Sequence, residues 1–260
     1  MSQAETGAAF ATLHQGEPFV IPNPWDAGSA RVLESLGFKA LATTSSGFAY
    51  TLGRADGKAT LDEVIDHTRV LAAATSLPVS VDLENGHGPS PANAAEAIAG
   101  AGTAGAVGCS IEDYDPGEDR VYDRDHAAER IAAAAKMAAA LPFPFTLTAR
   151  AENHLHGVDD LDDTIGRLQA YAAAGADVLY APGLRSLDQV RAICEAVDKP
   201  VNVLGHRGFV LADLFAAGAQ RVSVGGALTW VAVAALKSAA EALRDGDLSV
   251  LAASAPKEIF

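Results

Sequence analysis

Positive charge is in short supply. The chain has 19 Lys and Arg against 33 Asp and Glu in 260 residues, a net charge of −14 at pH 7, and no basic run anywhere. Nucleic acids and acidic membrane surfaces both require a basic face, so neither is an expected partner. Sulfur is as sparse: Cys109 and Cys194, the two cysteines, each lie inside an apolar stretch. Two such residues make no disulfide framework or zinc site and read as buried free thiols in a reducing, cytoplasmic compartment. Long apolar runs are missing too. The most Ala-rich segment, Ala127–Leu141, is broken by Glu129, Arg130 and Lys136, well short of the roughly 18 uncharged residues of a membrane span. Met1–Leu13 carries Glu5 and no basic residue, so no export signal is read there.

What is present is a recurrence. An amphipathic helical stretch, a small-residue punctuation containing Gly, and a short β-rich run follow one another repeatedly. Gly37 precedes Phe38–Thr43, Gly102 precedes Ala106–Ile111, Gly175 precedes Asp177–Tyr180, and Gly218 precedes Arg221–Val224. Glycine at such points suits the left-handed residue that closes a helix. Further apolar runs at Phe19–Pro22, Pro78–Leu83, Phe143–Ala149 and Pro200–Leu204 bring the strand candidates to eight. Between them, helices are predicted over Ala27–Leu36, Leu61–Thr75, Pro91–Ala101, Arg124–Ala140, Leu161–Ala174, Leu187–Val197, Val210–Ala217 and Leu228–Arg244. Eight strands alternating with helices predict an α/β fold, a (β/α)8 TIM barrel, as one domain over residues 1–260. Residues 1–18 read as an N-terminal extension or short helix. Runs such as Val79-Ser80-Val81 and Val178-Leu179-Tyr180 read as nearly continuous apolar strands buried on both faces. An open doubly wound sheet would carry a Gly-rich phosphate turn after its first strand, and Pro22-Asn23-Pro24-Trp25-Asp26 stands there instead.

In a barrel, chemistry belongs where strands end and loops begin. Asp82, Glu84 and Glu112 come from adjacent strand ends, and three carboxylates at one mouth repel unless a cation lies among them. Their oxygen-only chemistry suits Mg²⁺, or Mn²⁺ in its place. Arg150 follows the fifth strand candidate, where its planar fork matches a substrate carboxylate or phosphonate, or an internal ion pair with Glu112 or Glu152. Thr44-Ser45-Ser46-Gly47 offers consecutive N–H groups beside hydroxyls, a nest for an anionic oxygen. Asn202 and His206 end the seventh strand candidate. Gly225-Gly226 reads as tight packing as readily as a phosphate site, and Tyr114–Asp125 as a charged loop over the mouth.

Taken in order, Asn23-Pro24-Trp25-Asp26-Ala27-Gly28-Ser29-Ala30, Thr44-Ser45-Ser46-Gly47, Val81-Asp82-Leu83-Glu84-Asn85-Gly86, Ile111-Glu112-Asp113, Thr148-Ala149-Arg150 and Pro200-Val201-Asn202 resemble the isocitrate lyase and phosphoenolpyruvate mutase superfamily. The resemblance spans Phe19 to Gly246. It implies a Mg²⁺-dependent lyase that cleaves a C–C bond in, or decarboxylates, a small 2-oxo or 2-hydroxy acid through an enolate. It further implies Asp82 as the main acidic residue of the metal site, with Glu84 and Glu112 supporting it directly or through waters. Arg150, Glu112 and Ser46 are implied as catalytic. Trp25, Asp26, Thr44, Ser45, Ser46, Gly47, Arg150 and Asn202 are implied around the substrate. The proton carrier is left open among Tyr114, His87, His154 and His206. Two departures narrow the activity. Tyr114–Asp125 has no Lys-Lys/Arg-Cys-Gly-His loop, which points away from isocitrate and methylisocitrate lyase, and its lack of Asn points away from the mutase and phosphonopyruvate hydrolase branch. P–C bond chemistry remains the alternative activity, and a small-acid-binding barrel without catalysis is the other. The apolar start of Leu228–Arg244 and the resemblance together imply a homodimer or homotetramer, with the final helix exchanged between subunits.

Overall fold

The computed structural model describes residues 1–252. It opens with α1 (Gln3–Leu13), whose N-terminus is closed by a reciprocal Ser2 and Glu5 capping box. Then come β1 (Phe19–Ile21), α2 (Ala27–Ser35), β2 (Leu41–Ala42), α3 (Ser45–Thr51), α4 (Leu61–Ala74), β3 (Val79–Asp82) and α5 (Pro91–Thr103). The middle of the chain supplies β4 (Gly108–Glu112), a two-stranded hairpin of β5 (Tyr114–Asp115) and β6 (Arg120–Val121), α6 (Arg124–Ala140) and β7 (Thr146–Arg150). Last are α7 (Leu161–Ala173), β8 (Val178–Tyr180), α8 (Leu187–Ala196), β9 (Val201–Leu204), α9 (Leu211–Ala216), β10 (Arg221–Ser223) and α10 (Ala227–Arg244). Every strand and helix expected from the sequence is present within a few residues. No helix among the described residues is long and apolar enough to cross a membrane.

Eight strands pair in parallel in the order β1-β10-β9-β8-β7-β4-β3-β2, the order of a (β/α)8 barrel. Its last seam, between β1 and β2, is held by the Ala42 N–H donating to the Pro22 carbonyl at 3.1 Å. Asn23 reinforces it. Its buried amide donates to the Thr43 carbonyl at 3.0 Å and accepts from the Val224 N–H at 2.9 Å, linking the ends of β1, β2 and β10.

Gly37, Gly175 and Gly218 have φ of +83, +106 and +107°, the left-handed closures read from the sequence. The fourth is displaced: Gly102 is buried inside α5, and the left-handed residue is Gly105 at +103°. Thr44-Ser45-Ser46-Gly47 starts a helix that was not among those expected from the sequence. Thr44 is the N-cap of α3, its hydroxyl accepting from the Gly47 N–H. The hairpin β5–β6 likewise replaces a featureless loop. Cys109 is buried, but Cys194 on α8 is only partly so.

The strands are buried on both faces, as Val79-Ser80-Val81 and Val178-Leu179-Tyr180 suggested, and the two faces differ in polarity. Val81, Cys109, Ile111, Leu147, Ala149, Leu179, Val201, Val203 and Val222 belong to the core that packs with the surrounding helices. The alternate positions Ser80, Asp82, Ser110, Arg150, Tyr180, Asn202, Arg221 and Ser223 line a cavity inside the barrel. The lumen is therefore polar in its upper part, and the period of two places the chemistry. Below it, Phe10 of α1 is fully buried against Phe19, Ile21, Ala40 and Val107 and closes the lower end.

His14, just after α1, is buried there with Nδ1 2.9 Å from the Phe10 carbonyl and Nε2 3.1 Å from Arg221. Donation to the carbonyl and acceptance from arginine require the neutral ring, and burial followed by the Arg221 charge lowers its pKa from 6.5 to about 3.

Two outcomes follow from these contacts. Replacing Asn23 with Ala leaves a buried carbonyl and a backbone N–H unpaired, so chemical denaturation is expected to show a loss of about 2–4 kcal/mol. An unchanged midpoint would remove Asn23 from the seam. For His14, the unfolded ring takes up a proton below about 6.5, whereas the folded ring does so only near 3. Its stabilisation is thus full above that range and lost as pH falls, on the order of 2 kcal/mol between pH 8 and pH 5. This portion of the pH dependence should vanish in His14→Gln when the two unfolding curves are compared.

Candidate active site

The mouth of the barrel is organised by Arg150 at the end of β7. The register sets Arg150 beside Glu112 on one side and Tyr180 on the other. Its guanidinium meets Asp82 Oδ1 at 3.0 Å, Glu112 Oε2 at 3.1 Å and Glu152 Oε1 at 2.8 Å. The ring of Tyr180 lies 5.2 Å below its centre. Both internal ion pairs considered from the sequence exist, and Asp82 joins them. Burial pushes the Glu112 and Glu152 carboxyls up, opposed by the Arg150 charge; burial also works against the charge on Arg150, but the three carboxylates outweigh it and hold Arg150 more firmly protonated.

Two connected chambers meet at this arginine. The inner cavity, about 200 Å³, is lined by Thr44, Ser45, Ser46, Asp82, Arg150 and Asn202 among others. The outer chamber, about 500 Å³, includes Glu84, Glu112, Glu152, Tyr114 and His156. Ser45, Asp56, Arg150 and Leu155 border both. Ser46 is held by close approach. A Cβ on Gly226 would lie 2.3 Å from its Oγ, so the Gly225-Gly226 pair is a wall of the cavity that admits no side chain.

Glu84 stands on a left-handed backbone, φ +49°, and its carbonyl accepts from the Glu112 N–H at 2.9 Å. Such a conformation is costly outside glycine and is retained where surrounding contacts demand it. Burial first, then the neighbouring Asp82 and Asp56 charges, raise its carboxyl to about 7.

The chemistry of the donors fits a hard divalent cation. Asp56, Asp82, Glu84, Glu112 and Glu152 face three fixed cations across the two chambers, Arg150, Lys58 and, in the inner one, Arg221. Asp82 Oδ2 accepts one bond, from the Ser45 N–H at 3.2 Å, and keeps a lone pair. The three carboxylates do not form a closed cage, since among the described residues no three acidic, imidazole or thiol groups converge on one point. Mg²⁺ is commonly held through one or two carboxylates, with waters and substrate completing its shell. Asp82 would therefore be the main ligand of such an ion, with Glu84 and Glu112 supporting it directly or through waters.

Other residues singled out from the sequence lie elsewhere. Asp26 is an exposed N-cap of α2 that accepts from the Ser29 N–H, and Trp25 packs beside Gly47. Neither they nor Gly47 border the two chambers. His154 is committed to Asp159 and Thr164, and His206 caps the Gly208 N–H on an exposed turn. His87 has a left-handed backbone and a buried Nε2 with no partner. Tyr114 alone of the four proton-carrier candidates lines a chamber, the outer one, where its ring stacks on His156 at 3.5 Å.

Conversely, Asp56, Tyr180, Arg221 and Ser223 line the inner cavity although the sequence reading passed over them. A basic residue inside the β-run Arg221–Val224 is the signal that was available for one of them. Burial raises the Tyr180 hydroxyl to about 12, so it keeps its proton at neutral pH.

Asp113, next to Glu112, serves the scaffold. It accepts from the Glu152 N–H at 2.8 Å, from Arg167 at 3.0 Å and from the Tyr171 hydroxyl. Arg130 reaches from α6 to the carbonyls of Glu112, Gly88 and Asn85.

The model of the family described as phosphoenolpyruvate phosphomutase matches residues 10–244. A solved structure from Burkholderia cenocepacia, provisionally described as a lyase/mutase, is 52% identical, with a TM-score of 0.94 over 98% of this chain and 94% of that one. The oxaloacetate decarboxylase of Rhodopseudomonas palustris is 32% identical over 263 residues, 96% of this chain and 86% of its own. A structure of oxaloacetate acetylhydrolase in complex with the product oxalate is 28% identical, with a TM-score of 0.86 over 100% of this chain and 91% of that one. With its strand-end carboxylates gathered around Arg150 and a match over nearly its whole length, the chain belongs to the phosphoenolpyruvate phosphomutase family, within the isocitrate lyase and phosphoenolpyruvate mutase superfamily of enzymes.

Proposed function

We propose that the protein is a Mg²⁺-dependent lyase, Mn²⁺ serving in its place, that cleaves a C–C bond in a small 2-oxo or 2-hydroxy acid or decarboxylates it. The observation that carries this reading is the surplus of carboxylates around Arg150, which suits a divalent ion and, through it, an acid substrate. Two relatives act on oxaloacetate by name, one as a decarboxylase and one as an acetylhydrolase, which supports a 2-oxo acid here. Asp82 would hold a divalent ion, which would supply positive charge for the oxygen of a developing enolate. The chain's own residues do the rest. Ser45 and Ser46 at the start of α3 hold the carboxylate end, and Arg150 faces the charge that grows as the bond breaks. Glu112 and Glu152 fix the guanidinium in place, so no reorganisation is needed at that moment. Two cysteines and no disulfide among the described residues agree with a cytoplasmic enzyme.

We further propose that it works as a homodimer or homotetramer, with α10 packed on another copy. Among the residues of α10, only Thr229 is buried, whereas Trp230, Val231, Leu236 and Leu243 are exposed, as are Leu248 and Leu251 beyond it. One helix with that much apolar surface in water calls for a cover.

Oxalate resembles the enolate of pyruvate, and calorimetric titration should show binding with Mg²⁺ present and none without it. Asp82→Asn should remove that Mg²⁺-dependent binding, while far-UV dichroism shows the fold retained. Equal oxalate binding in both conditions would sink the metal-assisted reading. Light scattering should give a dimeric or tetrameric mass, reduced to the monomer by Val231→Asp combined with Leu236→Asp; a monomeric parent protein would refute the exchange.

A further inference from the structure

Arg221 is a buried cation without a counter-charge. Its residue is 4% exposed, and among the described residues no carboxylate lies within 4.0 Å of its guanidinium. Its contacts are neutral: Asn202 Oδ1 at 2.8 Å, Thr148 Oγ1 at 3.0 Å and His14 Nε2 at 3.1 Å. Burial lowers its pKa to about 10, which still leaves it charged at neutral pH. An isolated buried charge is expensive, and proteins retain one chiefly where an opposite charge is to be met.

The other buried arginines make the contrast. Arg167 has Asp113 and Asp163. Arg130 has no carboxylate either, but it ends on three backbone carbonyls and the face of Tyr122, away from the cavity. Arg221 borders the inner cavity together with Asn202, Ser223 and Tyr180. A guanidinium has five N–H donors, and three contacts leave two for an anion. Asn202 is committed by its amide to Ser223 Oγ at 3.0 Å, which fixes this floor in one arrangement.

We infer that Arg221 forms a second anion subsite at the cavity floor, taking the distal carboxylate of a short dicarboxylic acid whose other end is held by Ser45 and Ser46 beside Arg150. The spacing supports it. Arg221 reaches Thr148, two residues before Arg150 on β7, and two strand residues span about 6.6 Å. A four-carbon diacid bridges such a gap, whereas oxalate occupies the upper end alone. The inference rests on the proposed small-acid reading and specifies its substrate class as a dianion.

The test compares succinate with butyrate, which differ by one terminal carboxylate exchanged for methyl, and uses oxalate as the probe of the upper end. Calorimetry with Mg²⁺ should show succinate binding at least tenfold tighter than butyrate to the parent protein. Arg221→Met should abolish that preference and leave oxalate affinity within about twofold, while Arg221→Lys should keep most of the preference. A purely structural Arg221 would lower the melting temperature of Arg221→Met without changing the succinate-to-butyrate ratio. A ratio near one in the parent protein, or an unchanged ratio in Arg221→Met, overturns the subsite. Failure of oxalate to bind the parent protein overturns the functional reading instead, and the succinate comparison still judges Arg221. If Arg221→Met does not fold, a crystal of the parent protein with succinate decides: a carboxylate on the Arg221 guanidinium upholds the subsite, and succinate bound elsewhere refutes it.

Discussion

One guanidinium holds the mouth of this barrel together. Asp82, Glu112 and Glu152 come from β3, β4 and the loop after β7, and each touches Arg150. Two charges about 4 Å apart attract by about 4 kcal/mol at an effective dielectric of 20, and like charges at that spacing repel as strongly. Three acids around one base therefore leave a deficit of positive charge. That deficit is the physical reason for reading a divalent cation there, while burial first, and neighbouring carboxylates after it, raise the carboxyls of Glu84 and Glu112.

The rest of the architecture keeps this cluster in place from below and behind. Arg130 and Arg167 extend from α6 and α7 to the loops that follow β3 and β4, where they satisfy carbonyls and the buried Asp113. Asn23 closes the last seam, and Gly226 leaves room for Ser46. Deeper still, Arg221 ties β10 to β7, β9 and His14. A chain so poor in basic residues commits four arginines to its interior and loop bases.

Much of the barrel was legible because its signals are local. A helix ends where glycine can turn left-handed, as at Gly37, Gly175 and Gly218. Helices start where Ser, Thr or Asp can cap them, as at Thr60, Ser90 and Ser186. The strand-end carboxylates and Arg150 were legible by the same route, since a barrel obliges strand ends to share one mouth. Gly102 misled because a glycine inside a close-packed helix has the same letter as one that ends it. The helix that starts at Thr44 was not legible because a turn and a helix start share residue types.

The sequence by itself determined the eight alternating units, their order, and the acidic set at the strand ends. Each of these depends on residues close together in the chain. The tertiary structure alone decided that Arg150 spans Asp82, Glu112 and Glu152, that Trp25 and Asp26 stand outside the chambers, and that Tyr180, Ser223 and Arg221 line the inner one. Those facts depend on side chains from strands far apart in the chain lining one lumen, as Ile21, Asp82 and Ser223 do. The alternation that sends one residue inward and the next outward has a period of two, and in strands of three to five residues that period is too short to announce itself.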